Sequence, residues 1–214
     1  MKPKLLCILG ETASGKDSIT NAAIEKLSMY DIRKICSYTD RPKREGETDG
    51  VEHYFVTREE FNEIKDSRRD DMIGYTFIRN DKQKSYKGYH YMALIDELQN
   101  AQIYIIDYEG LKYLKSKYGD KIDISTVYIY SSLEVRLNRA KATRSDFNTE
   151  FKNRVIAEEA QFREFRKLHL YDYKIFNRDG KFDRSVNQLC NIINYELINK
   201  PISNVPMPKA LKNK

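Results

Sequence analysis

Nine residues near the amino terminus, Gly10-Glu11-Thr12-Ala13-Ser14-Gly15-Lys16-Asp17-Ser18, constrain this chain more than any other stretch. The apolar run Leu5-Leu6-Cys7-Ile8-Leu9 precedes them, and a helical pattern with Ile19, Ala22, Ala23, Ile24 and Leu27 on one face follows. Strand, glycine loop, lysine and helix is the order that wraps backbone N–H groups around a polyphosphate at a helix N-terminus. Glycines permit torsions and close approaches that a Cβ blocks. Lys16 then stands over the phosphates as a point charge. Asp17 occupies the place where the full pattern carries a magnesium-binding hydroxyl.

With 214 residues the chain is long enough for one domain with a sizeable core, expected over residues 1–200. The net charge of +6 suits a protein that handles anions, but Lys and Arg are dispersed rather than clustered, which speaks against a nucleic-acid stripe. Cys7, Cys36 and Cys190 are far apart, form no C-x-x-C pair, and read as buried free thiols of a reducing compartment. The amino-terminal apolar run is too short for a signal peptide, and no stretch reaches the length of a membrane span. The expected setting is cytoplasmic. Residues 201–214, rich in Pro and Lys, read as a flexible basic tail.

The apolar run Ile103–Ile106 reads as a buried parallel strand and Ser125–Tyr130 as another buried strand, with Arg33–Cys36 a short strand and Tyr173–Phe176 the final one. Thr57 with Glu60 makes a capping box before a helix. Residues 66–91 suggest a hairpin interrupted at Asn80–Gln83, and Tyr91–Leu98 looks helical. Helices are expected after Gly110, after Leu133, along a long segment beyond Asn153, and around Val186–Leu197. The fold class is therefore α/β, a parallel sheet flanked by helices.

The segment Ser37–Val56, S-Y-T-D-R-P-K-R-E-G-E-T-D-G-V-E-H-Y-F-V, is similar without a gap to the guanylate kinase signature. The order phosphate loop, signature, acidic strand end at Asp107, arginine-bearing lid and D-Y-K-I-F-N close resembles that family over residues 4–198. The resemblance implies a P-loop NTPase-type core (1–36, 91–138, 154–198), a small monophosphate-binding α+β subdomain (37–90) and a helical lid (139–153). It further implies ATP and Mg²⁺, with Gly10–Ser18 and Asn177 at ATP. Ser37, Arg41, Arg44, His53, Tyr54, Tyr86 and Asp107 fall at the acceptor, with Asp107 either contacting the base or magnesium or merely capping the following helix. Lys16, Arg136, Arg139, Arg144 and Arg154 are the candidates for stabilising the transferred group, with Asp17 and Ser18 at the metal. In phosphoryl transfer such cations neutralise the charge that spreads over the phosphoryl oxygens.

Beside Asp17, and Ile105 where the family carries an acid two residues before Asp107, two positions at the acceptor depart from the family pattern. His53 stands where a tyrosine is usual, and the glutamate that reads guanine falls at Gly74. The expected activity is ATP-dependent phosphorylation of a nucleoside monophosphate, GMP or dGMP, with nucleotides as partners and a monomer or dimer as the assembly. Two alternatives stand beside it: a kinase of the same fold with another nucleoside monophosphate or small phosphate as acceptor, and a non-catalytic protein-binding module. Retention of Gly10, Gly15 and Lys16 favours an enzyme.

Overall fold

The computed structural model of the chain describes residues 2–79, 88–143 and 150–198. In chain order its elements are β1 (Lys4–Leu9), α1 (Lys16–Lys26), β2 (Ser37–Thr39), β3 (His53–Phe55), α2 (Arg58–Ser67), β4 (Met72–Arg79), β5 (Gly88–Leu94), β6 (Ile103–Ile105), α3 (Tyr108–Tyr118), β7 (Asp123–Tyr130), α4 (Leu133–Thr143), α5 (Glu150–Lys167), β8 (Tyr173–Phe176) and α6 (Phe182–Ile193).

The strands form two sheets. The larger has the order β6-β1-β7-β8 and is parallel throughout. Its central strand, β1, buries five consecutive residues because helices cover both of its faces. Leu5, Cys7 and Leu9 point to a cluster completed by Tyr104, Leu114, Tyr128, Phe162 and Phe165. Leu6 and Ile8 point the other way, to Ile19, Ala23, Leu189 and Ile192. The period-2 alternation of one strand thus feeds two cores. A charge anywhere in Leu5–Leu9 has no solvent face to turn to.

The smaller sheet has the order β3-β2-β5-β4 and mixes a parallel pair with two antiparallel ones. One face packs Met92 and Tyr75 on Phe61 of α2. That helix starts with the expected capping box: Thr57 Oγ1 accepts from the Glu60 N–H, and the Thr57 N–H donates to the Glu60 carboxylate.

Two expectations need correction. Arg33–Cys36 is not a strand but makes a single parallel bridge, Lys34 to Ile103. Tyr91–Leu94 belongs to β5 rather than to a helix, and a short 3₁₀ turn, Ile95–Gln99, follows it. Met92, Ala93 and Leu94 are compatible with either period, and pairing with β4 decides it. The smaller sheet accordingly closes at Leu94 rather than near residue 90. The turn at Asn80–Gln83 and the tail at 201–214 lie outside the described residues. All three cysteines are buried and free, and burial lifts the Cys7 thiol to about 12. Among the described residues, no helix is long and apolar enough to cross a membrane.

Candidate active site

The glycine loop connects β1 to α1 at the carboxyl edge of the parallel sheet, where open α/β sheets bind their ligands. Both glycines are required by contact. A Cβ at Gly10 would stand 2.5 Å from Ser14 Oγ and 2.6 Å from the Ile129 carbonyl oxygen. Gly15, with φ +87°, would place one 2.5 Å from Asn177 Nδ2. Lys16 opens α1, and its ammonium lies 3.5 Å from Asp17 Oδ2.

Three loop residues are tied to the elements around them. The Ser14 carbonyl accepts from Asn177 Nδ2 at 2.8 Å, Ser131 Oγ at 3.1 Å and Arg139 Nη1 at 3.2 Å. Glu11 is buried, and its Oε1 accepts from Tyr128 Oη at 2.9 Å and from Arg166 Nη1 at 2.5 Å. Thr12 gives its N–H and its hydroxyl to the two oxygens of Glu158, at 2.7 and 2.6 Å, while its carbonyl accepts from Arg136 Nη1 at 3.3 Å. Glu158 and Arg166 both lie on α5, so that helix is rooted directly in the loop. Tyr128 on β7 stays a neutral phenol, because burial and the Glu11 charge push its ionisation up.

These contacts define what the expected site arginines do in this structure. Arg136 is buried behind Thr12, and Arg139 bridges Ser14, Ser131, the Asn177 carbonyl and Asp179. Both donate to backbone carbonyls of the loop. Asn177 does the same, with its amide held between Ser14 and Ser185. Arg144 lies outside the described residues; Arg154 sits on α5, with its side chain outside them.

The other half of the site is one face of the smaller sheet. Alternation puts Ser37, Thr39, His53, Phe55, Tyr91, Thr76 and Gly74 on the face opposite the Phe61 core. Ser37 Oγ meets His53 Nδ1 at 2.8 Å across the β2/β3 pair. Burial first, then the Arg41 charge, hold the His53 imidazole below its ordinary value, so it offers a neutral ring. Tyr54 turns to the opposite face and packs on Tyr38, with ring centroids 4.8 Å apart; the strand period puts it there, away from the Ser37–His53 pair.

Arg41 lies over the Phe55 ring and is only 5% exposed. Its Nε donates to Tyr91 Oη at 3.2 Å, Nη1 to the Pro42 carbonyl and Glu47 Oε2, and Nη2 to Glu47 Oε1 at 2.9 Å. Among the described residues four of its five N–H groups are engaged, leaving one on Nη2. The Arg44 backbone N–H also donates to Glu47, at 2.8 Å. Further along the face, Thr76 Oγ1 donates to Asp107 Oδ1 at 3.0 Å. That same oxygen caps α3 through the Gly110 N–H at 2.7 Å. Burial raises the Asp107 carboxyl. Tyr86 lies outside the described residues.

Among the described residues, no group of three or more His, Cys, Asp or Glu is arranged to hold a metal. Magnesium characteristically takes one or two protein oxygens and completes its shell with phosphate and water. The Asp17 side chain, 67% exposed in the first turn of α1 and with Ser18 next to it, supplies a hard oxygen of that kind. The site thus fits a phosphate-borne magnesium ion.

Glu47, Tyr91, Thr76, Glu158 and Arg166 escaped the reading of the sequence. Only Glu47 carried a signal there, three residues after Arg44 in a turn. The others face the site through strand pairing and helix packing.

A guanylate kinase family model matches residues 2–196. The guanylate kinase of Symbiobacterium thermophilum is 31% identical over 197 residues, covering 90% of this chain and 86% of that protein. The Brucella melitensis guanylate kinase is 28% identical over 201 residues, covering 92% and 84%. Guanylate kinase 2, chloroplastic/mitochondrial, of Oryza sativa is 26% identical over 204 residues; the match covers 91% of this chain and 65% of that longer protein. The crystal structure of a guanylate kinase from Anaplasma phagocytophilum superposes with a TM-score of 0.59 at 19% identity, over 91% of this chain and 87% of that one, and shares the fold.

Proposed function

The chain belongs to the guanylate kinase family and is a nucleoside monophosphate kinase, and we propose that it transfers the γ-phosphoryl group of ATP to GMP or dGMP. One observation carries the reading. The chain has a glycine loop and lysine at the edge of one sheet and, on one face of a second sheet, Ser37, His53 and Tyr91, with Arg41 bonded to Tyr91. The first binds a polyphosphate; the second has the donors for a phosphate monoester.

The residues then divide as follows. Backbone N–H groups of Gly10–Ser18 cradle the donor, and Lys16 neutralises its β/γ-oxygens. Ser37, His53, Arg44 and the remaining N–H of Arg41 hold the acceptor phosphate, with Asp107 near its base. An acceptor phosphate oxygen forms the new bond to the γ-phosphorus as the bond to the β–γ bridging oxygen breaks, and ADP leaves. Arg136 and Arg139 keep the loop in shape, and Arg144 and Arg154 are the cations assigned to the transferred group. Asp17, with Ser18 beside it, would hold magnesium, which when bound supplies further neutralisation of the phosphate oxygens. No side chain forms a covalent bond; positioning and charge neutralisation lower the barrier.

The test is ADP formation with ATP and Mg²⁺ across a panel of ribo- and deoxyribonucleoside monophosphates. Turnover confined to GMP and dGMP is the expected result. Preference for another monophosphate would redirect the acceptor reading, and nucleotide binding without turnover on any of them would remove it.

A further inference from the structure

Gly74 and Tyr104 fit together more closely than any other glycine and its neighbour in the described chain. An ideal Cβ at Gly74 would stand 2.3 Å from Tyr104 Oη and 3.1 Å from its Cζ. Tyr104 belongs to β6 of the larger sheet and Gly74 to β4 of the smaller, so the phenol crosses between the sheets and takes the space of a side chain at 74. A buried tyrosine hydroxyl normally has a hydrogen-bond partner. Tyr104 is 6% exposed, yet among the described residues its hydroxyl has none, and it is not among the fully enclosed, unpaired polar atoms. Its oxygen therefore keeps a trace of solvent contact beside Gly74.

Asp107 stands beside it. Gly74 and Thr76 are alternate residues on one face of β4, about 6.6 Å apart along the strand. Tyr104 Oη lies against the first and the Asp107 carboxyl is held by the second. Asp107 Oδ1 accepts from both Thr76 and Gly110, while Oδ2 has no protein donor among the described residues. The next position across the sheet from Thr76 is Tyr91, which partners Arg41. One face therefore runs from the phosphate cluster to a hydroxyl donor next to a carboxylate acceptor.

We propose that Tyr104 is a specificity-determining residue. Its hydroxyl donates to the 6-oxo group of the acceptor's purine while Asp107 Oδ2 accepts from the adjacent ring N–H. Tyr104 thereby fills the role that the absent side chain at 74 leaves open. This rests on the acceptor site proposed above. A 6-oxopurine presents an acceptor beside a donor, matching this pair; a 6-aminopurine presents the reverse and leaves the carboxylate facing a lone pair. Burial together with the Asp107 charge raises the ionisation of the phenol, which keeps it a donor.

The experiment compares kcat/KM for GMP, IMP and AMP in the wild type and in Tyr104→Phe, which keeps the ring against Gly74. The expected result is a loss of about tenfold for GMP and IMP alike, carried by the acceptor KM, with AMP and the KM for ATP unchanged. A purely structural role would instead raise the ATP KM and lower kcat with every acceptor. An unchanged GMP-to-AMP ratio in Tyr104→Phe would overturn the proposal while leaving the kinase reading intact. Should Tyr104→Phe fail to fold, Asp107→Asn, which can still accept from Gly110, has to lower the same ratio, and its failure to do so counts equally against the proposal. Absence of wild-type activity with all three nucleotides would refute the acceptor site itself, and with it this assignment.

Discussion

Glu158 occupies backbone that a triphosphate needs, and Glu158→Gln tests that conflict directly. The carboxylate accepts from the Thr12 N–H and hydroxyl at 2.7 and 2.6 Å, so Thr12 cannot offer its N–H to a phosphate while Glu158 remains. Glutamine has the same shape but one acceptor oxygen and no charge. Removing a negative charge about 6 Å from a phosphate oxygen, at an effective dielectric of about 40, removes a repulsion of about 1.4 kcal/mol, or about tenfold in affinity. The same change costs the nucleotide-free protein one charge-assisted hydrogen bond, about 1.5 kcal/mol, which for a chain of this size lowers Tm by about 3–6 °C. The expected signature has opposite signs: a lower Tm without nucleotide and a tighter Kd for ATP. Calorimetric titration with ATP and with adenosine, alongside thermal unfolding, measures both. Adenosine has no phosphate, so its Kd stays put. If ATP binding is unchanged or weaker in Glu158→Gln, Thr12 does not serve the phosphates and the reasoning fails.

Two other outcomes follow from the same geometry. Gly15→Ala combines a φ of +87° with a Cβ 2.5 Å from Asn177 Nδ2, so we expect a loss of about 2–3 kcal/mol in urea unfolding and weaker ATP binding; a stability change under 0.5 kcal/mol would contradict the close-approach account. His53 has a folded-state pKa lowered by burial and by Arg41, so the neutral ring is favoured in the native protein. Its contribution to stability is then complete above about pH 6.5 and is lost as pH falls through the lower folded value. His53→Asn should flatten the acid side of the stability profile below about pH 6.5, and superimposable profiles would show that the imidazole is not held neutral.

The larger sheet was legible because its inner strands β1 and β7 are buried over most of their length, which writes them as mainly apolar runs at Leu5–Leu9 and Thr126–Tyr130, while the edge strand Tyr173–Phe176, with Lys174 half-buried and Phe176 exposed, carries a weaker signal. The glycine loop was legible because Gly10 and Gly15 are fixed by contact, leaving little freedom in residue type. The smaller sheet was harder. Tyr91–Leu94 carries no period of its own and becomes strand only by pairing with β4. The site residues that sequence missed are those placed by pairing or helix packing: Tyr91 lies 50 residues from Arg41, and Glu158 lies 146 residues from Thr12. Arg136 and Arg139 were expected at the transferred group by position, and only the fold shows their bonds to the Thr12 and Ser14 carbonyls.

One feature unites the two halves of the site: carboxylates of the chain itself hold groups suited to phosphate. Glu47 holds Arg41, Glu158 holds Thr12, and Asp17 stands by Lys16. The three pairs differ in how easily a phosphate displaces them. Lys16 and Asp17 are 3.5 Å apart and Asp17 is largely exposed, so their attraction is weak and Lys16 is free to turn to the donor. Arg41 and Glu47 are bidentate, with Arg41 buried, and breaking the pair would strand a charge. Glu47 also accepts from the Arg44 N–H, which makes it part of the turn. Arg41 therefore keeps its partner and presents its remaining N–H in a fixed direction. Glu158 falls between: its bonds are short, yet it is only partly buried and makes no bidentate pair with a guanidinium. A phosphate that takes the Thr12 N–H has to displace Glu158, whereas a phosphate at Arg41 meets a guanidinium already set by Glu47.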